Sequence, residues 1–255
     1  NQIVMIFLNY LMTRNTELGT LTGNEYIVKT IVTTETIRTI AEAQHIKMYD
    51  CFTGFKWIAN VMRENEGKAR YLGGGEESYG FLAEDFVRDK DSVSAISLMA
   101  EIAAWAKDKG LNMTDMLIDI YMKYGFSREK GISLVRKGKS GAEEIIALMK
   151  QFRENPPKEI AGSPVVTVKD FQSLVETNVA TGETKKLDMP ATSNVLQYYT
   201  ADRTKVSVRP SGTEPKIKFY IEVHDTLASA DEYKATEARA DEKINRIAKE
   251  FGITK

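Results

Sequence analysis

Cysteine occurs once, as Cys51, in 255 residues. That excludes an internal disulfide and any metal site built from several thiolates, and it suits a reducing compartment such as the cytoplasm. Charge of neither sign is in surplus: 35 basic against 36 acidic residues leave a net charge of −1. A global pull toward nucleic acid or an anionic membrane is therefore missing, and any recognition of phosphate has to be local. No apolar run approaches the ~20 residues of a membrane span. Asn1–Met12 is apolar but has neither a charged leader nor a cleavage site, so it does not read as a secretory signal. Internal repeats and low-complexity tracts are lacking too. With 42% hydrophobic residues, what is present suffices for a packed core, in one large domain or two of ordinary size.

The amino-terminal half alternates between two periods. Asn1–Thr13 has helical spacing through Ile3, Ile6, Phe7, Tyr10 and Leu11. Tyr26–Val32 reads as a strand, Thr33 or Thr34 as a cap, and Ile37, Ile40 and Ala41 as one helix face. Lys47–Phe52 is a second strand, followed by a turn at Thr53-Gly54 and a helix carrying Phe55, Ile58, Ala59 and Met62. Ala69–Leu72 is a third strand that enters Gly73-Gly74-Gly75. This rhythm predicts an α/β domain with a largely parallel sheet, in which ligands bind at the carboxyl ends of the strands. Two places qualify: Thr53–Lys56 and Gly73–Gly80. Val93–Ala106 has apolar residues almost all round, including Val93 and Ile96, and predicts a buried helix. A further helix starts near Thr114 with Leu117, Ile118 and Tyr121 inward and stops at Gly125.

Gly125–Gly131, short and polar, reads as the boundary between domains 1–125 and 126–255, and as a connection able to act as a hinge. Ile132–Arg136 predicts a strand, and Ser140 to Glu143 a capping box opening a helix with Ile145, Ile146, Met149 and Phe152 inward. Strands follow at Val165–Lys169 and Val195–Tyr199, with a polar, turn-rich stretch between them. Lys205–Val208 and Lys216–Val223 form a hairpin; in the second, Ile217, Phe219, Ile221 and Val223 alternate with Lys216, Lys218, Tyr220 and Glu222. Ser229 to Glu232 is a second capping box, before a helix with Tyr233, Ala240, Ile244 and Ile247 inward. The second half is thus an α+β domain with an antiparallel sheet.

Two loops carry chemistry. Gly74-Gly75-Glu76-Glu77-Ser78-Tyr79-Gly80 combines glycines with carboxylates and a hydroxyl, the complement that vicinal sugar hydroxyls require. A solvated acidic turn fits the same composition, whereas a metal site is poorly supported by two adjacent glutamates without histidine. Arg209-Pro210-Ser211-Gly212-Thr213, with Lys218 beyond it, offers a guanidinium fork, hydroxyls and a glycine between two prolines. Consecutive amides there can form an anion-binding concavity, although an ordinary hairpin rich in turn residues looks the same.

Gly-Glu-Glu-Ser-aromatic-Gly followed, in order, by Arg-x-Ser-Gly-Thr resembles the α-D-phosphohexomutase superfamily, the phosphoglucomutases and phosphomannomutases, over essentially the whole chain. The resemblance implies its third domain, a three-layer α/β unit, and its fourth, a smaller TBP-like α+β unit. It implies that Glu76 and Ser78 hold sugar hydroxyls and that Thr53, Gly54 and Lys56 help orient the hexose. Arg209, Ser211, Gly212, Thr213 and Lys218 would grip the phosphate. Arg88-Asp89-Lys90-Asp91 is similar to a segment whose lysine is an acid/base candidate, so Lys90 is the catalytic candidate; read without the family, it is a solvated, salt-bridged lysine. The wording of these motifs is most similar to the bacterial-type, phosphopentomutase-related branch.

The implied activity is an isomerase's: interconversion of hexose 1-phosphate and 6-phosphate through a bisphosphorylated sugar such as glucose 1,6-bisphosphate, with Mg2+ as cofactor. The substrate would be a small phosphosugar, with neither nucleic acid nor membrane as partner. No Thr-x-Ser-His-Asn-Pro-like segment is present to carry a phosphoserine, and no Asp-Gly-Asp-x-Asp-Arg-like loop to bind magnesium. The expectation is a truncated, carboxy-terminal piece, inactive alone, that works with amino-terminal domains of the same protein. The competing expectation is a stand-alone, non-catalytic module that binds phosphosugars or other anions.

Overall fold

The computed structural model describes residues 1–136, 138–212 and 214–254. The chain divides into two compact units: Asn1–Phe126 with Thr226–Tyr233, and Ser127–Asp225 with Lys234–Lys255.

In the first unit, β1 (Glu25–Thr30) lies between β2 (Lys47–Cys51) and β3 (Arg70–Gly75), parallel to both. A short β4 (Phe81–Ala83) closes the other side of β3 antiparallel, giving the order β2-β1-β3-β4. Every residue of β1 is buried, as a central parallel strand covered on both faces must be. One face is covered by α3 (Phe55–Asn65), whose Phe55, Ile58 and Met62 pack with Tyr26, Val28, Tyr71 and Leu82. The other receives α1 (Gln2–Glu17), whose Phe7 meets Phe81 edge to face at 4.8 Å. This is the mixed, largely parallel α/β layering that the helix–strand rhythm predicts.

Three expectations for this unit change. β3 does not end at Leu72 but runs through Gly73, Gly74 and Gly75. Those glycines are packing residues. A Cβ on Gly74 would come within 2.6 Å of the Val28 carbonyl oxygen, and one on Gly75 within 2.9 Å of the Val4 side chain. Second, α4 (Ser92–Asp108) is not buried all round: Leu98, Ile102 and Ala106 face inward, while Val93 and Ile96 are 72% and 71% exposed. Its start is fixed by Asp91, which accepts from the Ser94 amide at 2.8 Å. Third, α5 (Met113–Tyr124) turns Met116, Ile120 and Tyr121 inward, with Leu117 and Ile118 only half-buried. α2 (Thr36–Ala43) completes the unit.

The second unit holds one sheet in the order β5-β12-β11-β10-β7-β8-β9, with β6 paired to β7. Its strands are β5 (Phe126–Val135), β6 (Glu159–Ile160), β7 (Ser163–Asp170), β8 (Val175–Asn178), β9 (Thr184–Lys186), β10 (Leu196–Thr200), β11 (Lys205–Pro210) and β12 (Lys216–Asp225). The pairings of β6 through β12 are antiparallel. Two helices complete it, α6 (Gly138–Glu154) and α7 (Tyr233–Glu250), the latter preceded by a 3-10 turn at Ala230–Glu232. Phe219 on β12 sits 6.0 Å from both Phe152 and Phe251, an aromatic cluster joining sheet and helices.

The stretch that reads as a polar linker is in fact the start of β5. Arg128 there binds Asp241 of α7 at 2.9 and 3.1 Å, so its polarity serves an ion pair within the second unit. The polar stretch after β7 contains the hairpin β8–β9. Glu222, expected on the open face of β12, is buried and pairs with buried Lys205 at 2.8 Å. Ile146 is exposed on α6, and Ser140 lies inside that helix because it begins at Gly138.

Candidate functional site

The first unit gathers three separate segments at the carboxyl ends of its strands. Gly54 precedes α3 with φ of +107°, a conformation that only glycine adopts without strain. Its N–H donates to Glu76 Oε1 at 2.7 Å, placing a carboxylate at the positive end of that helix. Glu76 begins the loop after β3, and its own N–H closes the loop on the Gly80 carbonyl at 2.8 Å. A Cβ on Gly80 would stand 2.7 Å from Glu76 Oε2 and 3.3 Å from Lys90 Cδ, so a side chain there would displace the glutamate. Lys90 therefore runs its stem along this loop, with Nζ 3.8 Å from Asp89 and 5.8 Å from the Phe55 ring centre.

The two glutamates of the loop do not act as a pair. Glu77 turns to β1, where Thr30 Oγ1 donates to it at 3.2 Å, and its other oxygen accepts from Ser78 Oγ at 3.3 Å. Ser78 is exposed and Thr53 half-buried. Lys56 is exposed, with its ammonium 5.4 Å from the Trp57 ring centre. Cys51 lies at the end of β2, two residues before Thr53; burial pushes its thiol up, so it is no ready nucleophile.

A residue that sequence reasoning missed lies directly beneath. Lys29 is wholly buried, with its ammonium 3.0 Å from Glu35 and 2.8 Å from Asp50. Arg38 joins the same two carboxylates. The available signal was a lysine inside an otherwise apolar strand, Tyr26-Ile27-Val28-Lys29-Thr30-Ile31, where a charge needs partners.

In the second unit the loop from Ser211 to Pro215 joins β11 and β12. Arg209 and Lys218 face each other across the two strands as register partners. Directly opposed side chains stand about 5 Å apart at Cβ, and like charges so placed are unfavourable unless an anion lies near. Ser211 N–H donates to the Lys216 carbonyl at 2.8 Å, so this amide is not available to an anion-binding concavity. The Pro215 carbonyl accepts from Arg136 N–H at 2.9 Å, which anchors the far side of the loop. Glu214 pairs with Lys216, and the hydrogen bond from that lysine, above all, lowers its carboxyl, with Lys218 adding a weaker pull. A Cβ on Gly212 would meet nothing within 4 Å, so no packing demand explains the glycine. Thr213 lies outside the described residues.

Among the described residues no group of three or more histidine, cysteine, aspartate or glutamate side chains is arranged to hold a metal ion. None of their helices is long and apolar enough to cross a membrane.

Comparison with known proteins identifies the family to which a layered α/β unit followed by an antiparallel α+β unit belongs here. The family model for phosphoglucomutase/phosphomannomutase, alpha/beta/alpha domain III, matches residues 1–124. The model for the C-terminal domain of the same family matches residues 148–240. The chain belongs to the phosphoglucomutase/phosphomannomutase family. A phosphoglucomutase of Staphylococcus epidermidis is 34% identical over 221 residues, covering 87% of this chain and 39% of that protein. One of Staphylococcus haemolyticus is 32% identical over 224 residues, 88% of this chain and 40% of that protein. The chain thus spans about two fifths of the length of these curated relatives. The fold is shared with parafusin, a phosphoglucomutase from Paramecium, at a TM-score of 0.56 and 15% identity over 97% of this chain and 42% of that one. A phosphoglucomutase/phosphomannomutase family protein from Burkholderia thailandensis gives 0.55 and 16%, over 98% and 41%.

Proposed function

We propose that this chain supplies the sugar- and phosphate-recognition half of a phosphohexose mutase, which interconverts hexose 1-phosphate and 6-phosphate through a bisphosphorylated hexose. The observation that carries the reading is the facing pair Arg209 and Lys218, beside a glycine with open space around it. Two cations held opposite each other by strand register are a binding site for a dianion: a phosphate relieves their repulsion and accepts from both. Arg209, Lys218, Ser211, Gly212 and Thr213 grip the phosphate that is not reacting. Glu76 and Ser78 accept from and donate to ring hydroxyls, Thr53, Gly54 and Lys56 border the hexose, and Lys90 exchanges a proton with the reacting hydroxyl. Phosphoryl transfer depends mainly on positioning and charge stabilisation, so a remote clamp raises the rate by fixing the near-attack geometry.

We infer two domains, 1–125 with the sugar loop and 126–255 with the phosphate loop; the changeover between compact units at Phe126 and Ser127 supports this. The magnesium of the family's chemistry does not fit the acidic loop described here. Glu76 and Glu77 answer different donors, and the described residues contain no three-ligand cluster. Phosphoserine and metal loops belong, in this reading, to segments corresponding to the remaining length of the relatives. A cytoplasmic setting accords with a single, buried cysteine.

The test is calorimetric titration of the chain with glucose 1,6-bisphosphate. Binding that is lost in Arg209→Ala and weakened in Glu76→Ala is the expected result. A folded chain that does not bind the bisphosphate, or whose binding is untouched by Arg209→Ala, overturns the reading.

A further inference from the structure

Tyr79 is unusual in two independent ways. Its backbone is left-handed, with φ of +66°, a conformation that crowds the Cβ of any L residue and is a genuine outlier for a bulky one. Its ring is fully exposed, at 104% of the reference area. Five other non-glycine residues have positive φ: His45, Glu84, Ala161, Leu174 and Arg203. Among the described residues Tyr79 is the one that combines this strain with a large apolar side chain left wholly in water. A glycine would relieve the strain, and a polar residue would suit the exposure. Among the described residues no ring contact involves Tyr79.

We propose that Tyr79 is a sugar-contact residue: its ring provides an apolar platform for the C–H face of the hexose whose hydroxyls Glu76 and Ser78 bind. The inference rests on the hexose-phosphate reading above and extends it to a residue that reading does not use. The geometry favours it, because Tyr79 directly follows Ser78 and precedes Gly80, whose carbonyl closes the loop on Glu76. A strained backbone in a closed five-residue loop holds the ring's origin fixed, and tyrosine has only two side-chain torsions to lose on contact. A sugar presents hydroxyls at its edge and C–H groups on its faces, so carboxylate, hydroxyl and aromatic ring in adjacent positions match both. The phenol hydroxyl has no assigned part.

The experiment compares Tyr79→Gly, Tyr79→Asn and Tyr79→Phe with the parent chain, by thermal unfolding and by calorimetry with glucose 1,6-bisphosphate and with inorganic phosphate. Tyr79→Gly is expected to raise Tm by roughly 2–4 °C as strain is relieved. The same change should weaken bisphosphate binding by roughly 3- to 10-fold, the scale of one aromatic contact. Phosphate affinity should stay unchanged. Tyr79→Asn, which tolerates the left-handed backbone without glycine's flexibility, is expected to lose affinity equally, and Tyr79→Phe to retain it. Parent-like bisphosphate binding by the Gly and Asn variants overturns the proposal, as does a parallel loss of phosphate binding or an unchanged Tm in Tyr79→Gly. A parent chain that fails to bind the bisphosphate removes the hexose-phosphate reading itself, and this proposal with it.

Discussion

Glu76 Oε1 accepts a hydrogen bond from Gly54 N–H at 2.7 Å, joining the end of β3 to the start of α3. The bond ties two loops together, and in the proposed function the same carboxylate also presents charge to a ligand. The tasks separate by substitution. Glu76→Gln keeps an acceptor for Gly54 but removes the charge. Glu76→Ala leaves the part-buried Gly54 N–H without this partner, which costs up to about 1–3 kcal/mol. Urea unfolding should place Gln between parent and Ala in stability, while calorimetry finds both weakened toward glucose 1,6-bisphosphate. Equal stability for all three would mean that the Gly54 bond does not hold the loop.

Two glycines predict opposite behaviour. Gly74→Ala forces a Cβ to within 2.6 Å of the Val28 carbonyl oxygen in the middle of a buried sheet. Overpacking of that kind costs about 1–3 kcal/mol. Gly212→Ala meets nothing within 4 Å, so its effect on unfolding should stay within about 0.5 kcal/mol. Its effect should appear in weaker binding of phosphate, if the backbone there approaches the ligand. A destabilised Gly212→Ala, or a Gly74→Ala as stable as the parent, contradicts the packing account.

Lys29 is buried with two carboxylates within 3.0 Å and two backbone carbonyls at 3.4 and 3.5 Å. Lys29→Met removes the ammonium, while Arg38 still bridges Glu35 and Asp50. Both carboxylates keep Arg38 and are partly exposed, so the loss should fall below the roughly 3–5 kcal/mol of a fully buried pair broken on one side. The neighbouring Thr30 holds Glu77 at 3.2 Å, so the loop from Glu76 to Gly80 should loosen as well. Hydrogen exchange at Glu77 and Ser78 reports that loosening directly. A Lys29→Met chain with parent stability and parent exchange would show the cluster to be replaceable.

The sequence was legible where one period dominated. β1, β2 and β12 alternate or run apolar, and the closed loop at Glu76 and the hairpin at Arg209 both fell where glycine and polar residues interrupt those runs. It was illegible where a residue's role depends on a partner distant in the chain. The polar start of β5 reads as a linker because Arg128 finds Asp241 only after folding. Glu222 reads as outward-facing until strand register sets it opposite Lys205. The hairpin β8–β9 has a half-buried and an exposed strand, so no apolar face marks it. Glycines 73 to 75 pattern as loop residues, yet the strand needs their absent side chains so that Val28 and Val4 can approach. Val93 and Ile96 on α4 are apolar and exposed, which periodicity cannot anticipate.

The turn between β10 and β11 contains an acid-sensitive contact. Asp202 accepts from Thr200 Oγ1 at 2.6 Å and Thr204 Oγ1 at 2.8 Å, and its other oxygen meets Lys243 of α7 at 2.6 Å. Partial burial alone would raise this carboxyl. The ammonium and the two hydroxyls outweigh it and hold the group well below the usual carboxylate range. A carboxyl whose folded value lies below its unfolded value, near 3.9, contributes stability that is fully present above that pH. The contribution fades as pH falls below about 4 toward the lower folded value, because the unfolded chain takes up the proton first. Asp202→Asn should therefore be less stable than the parent at pH 7 and approach it by pH 2. The measurement is the urea midpoint of both chains at steps between pH 2 and pH 7. Curves that stay parallel across that window would assign the acid sensitivity to other carboxylates, whereas convergence confined to the interval below pH 4 assigns it to the Asp202–Lys243 contact.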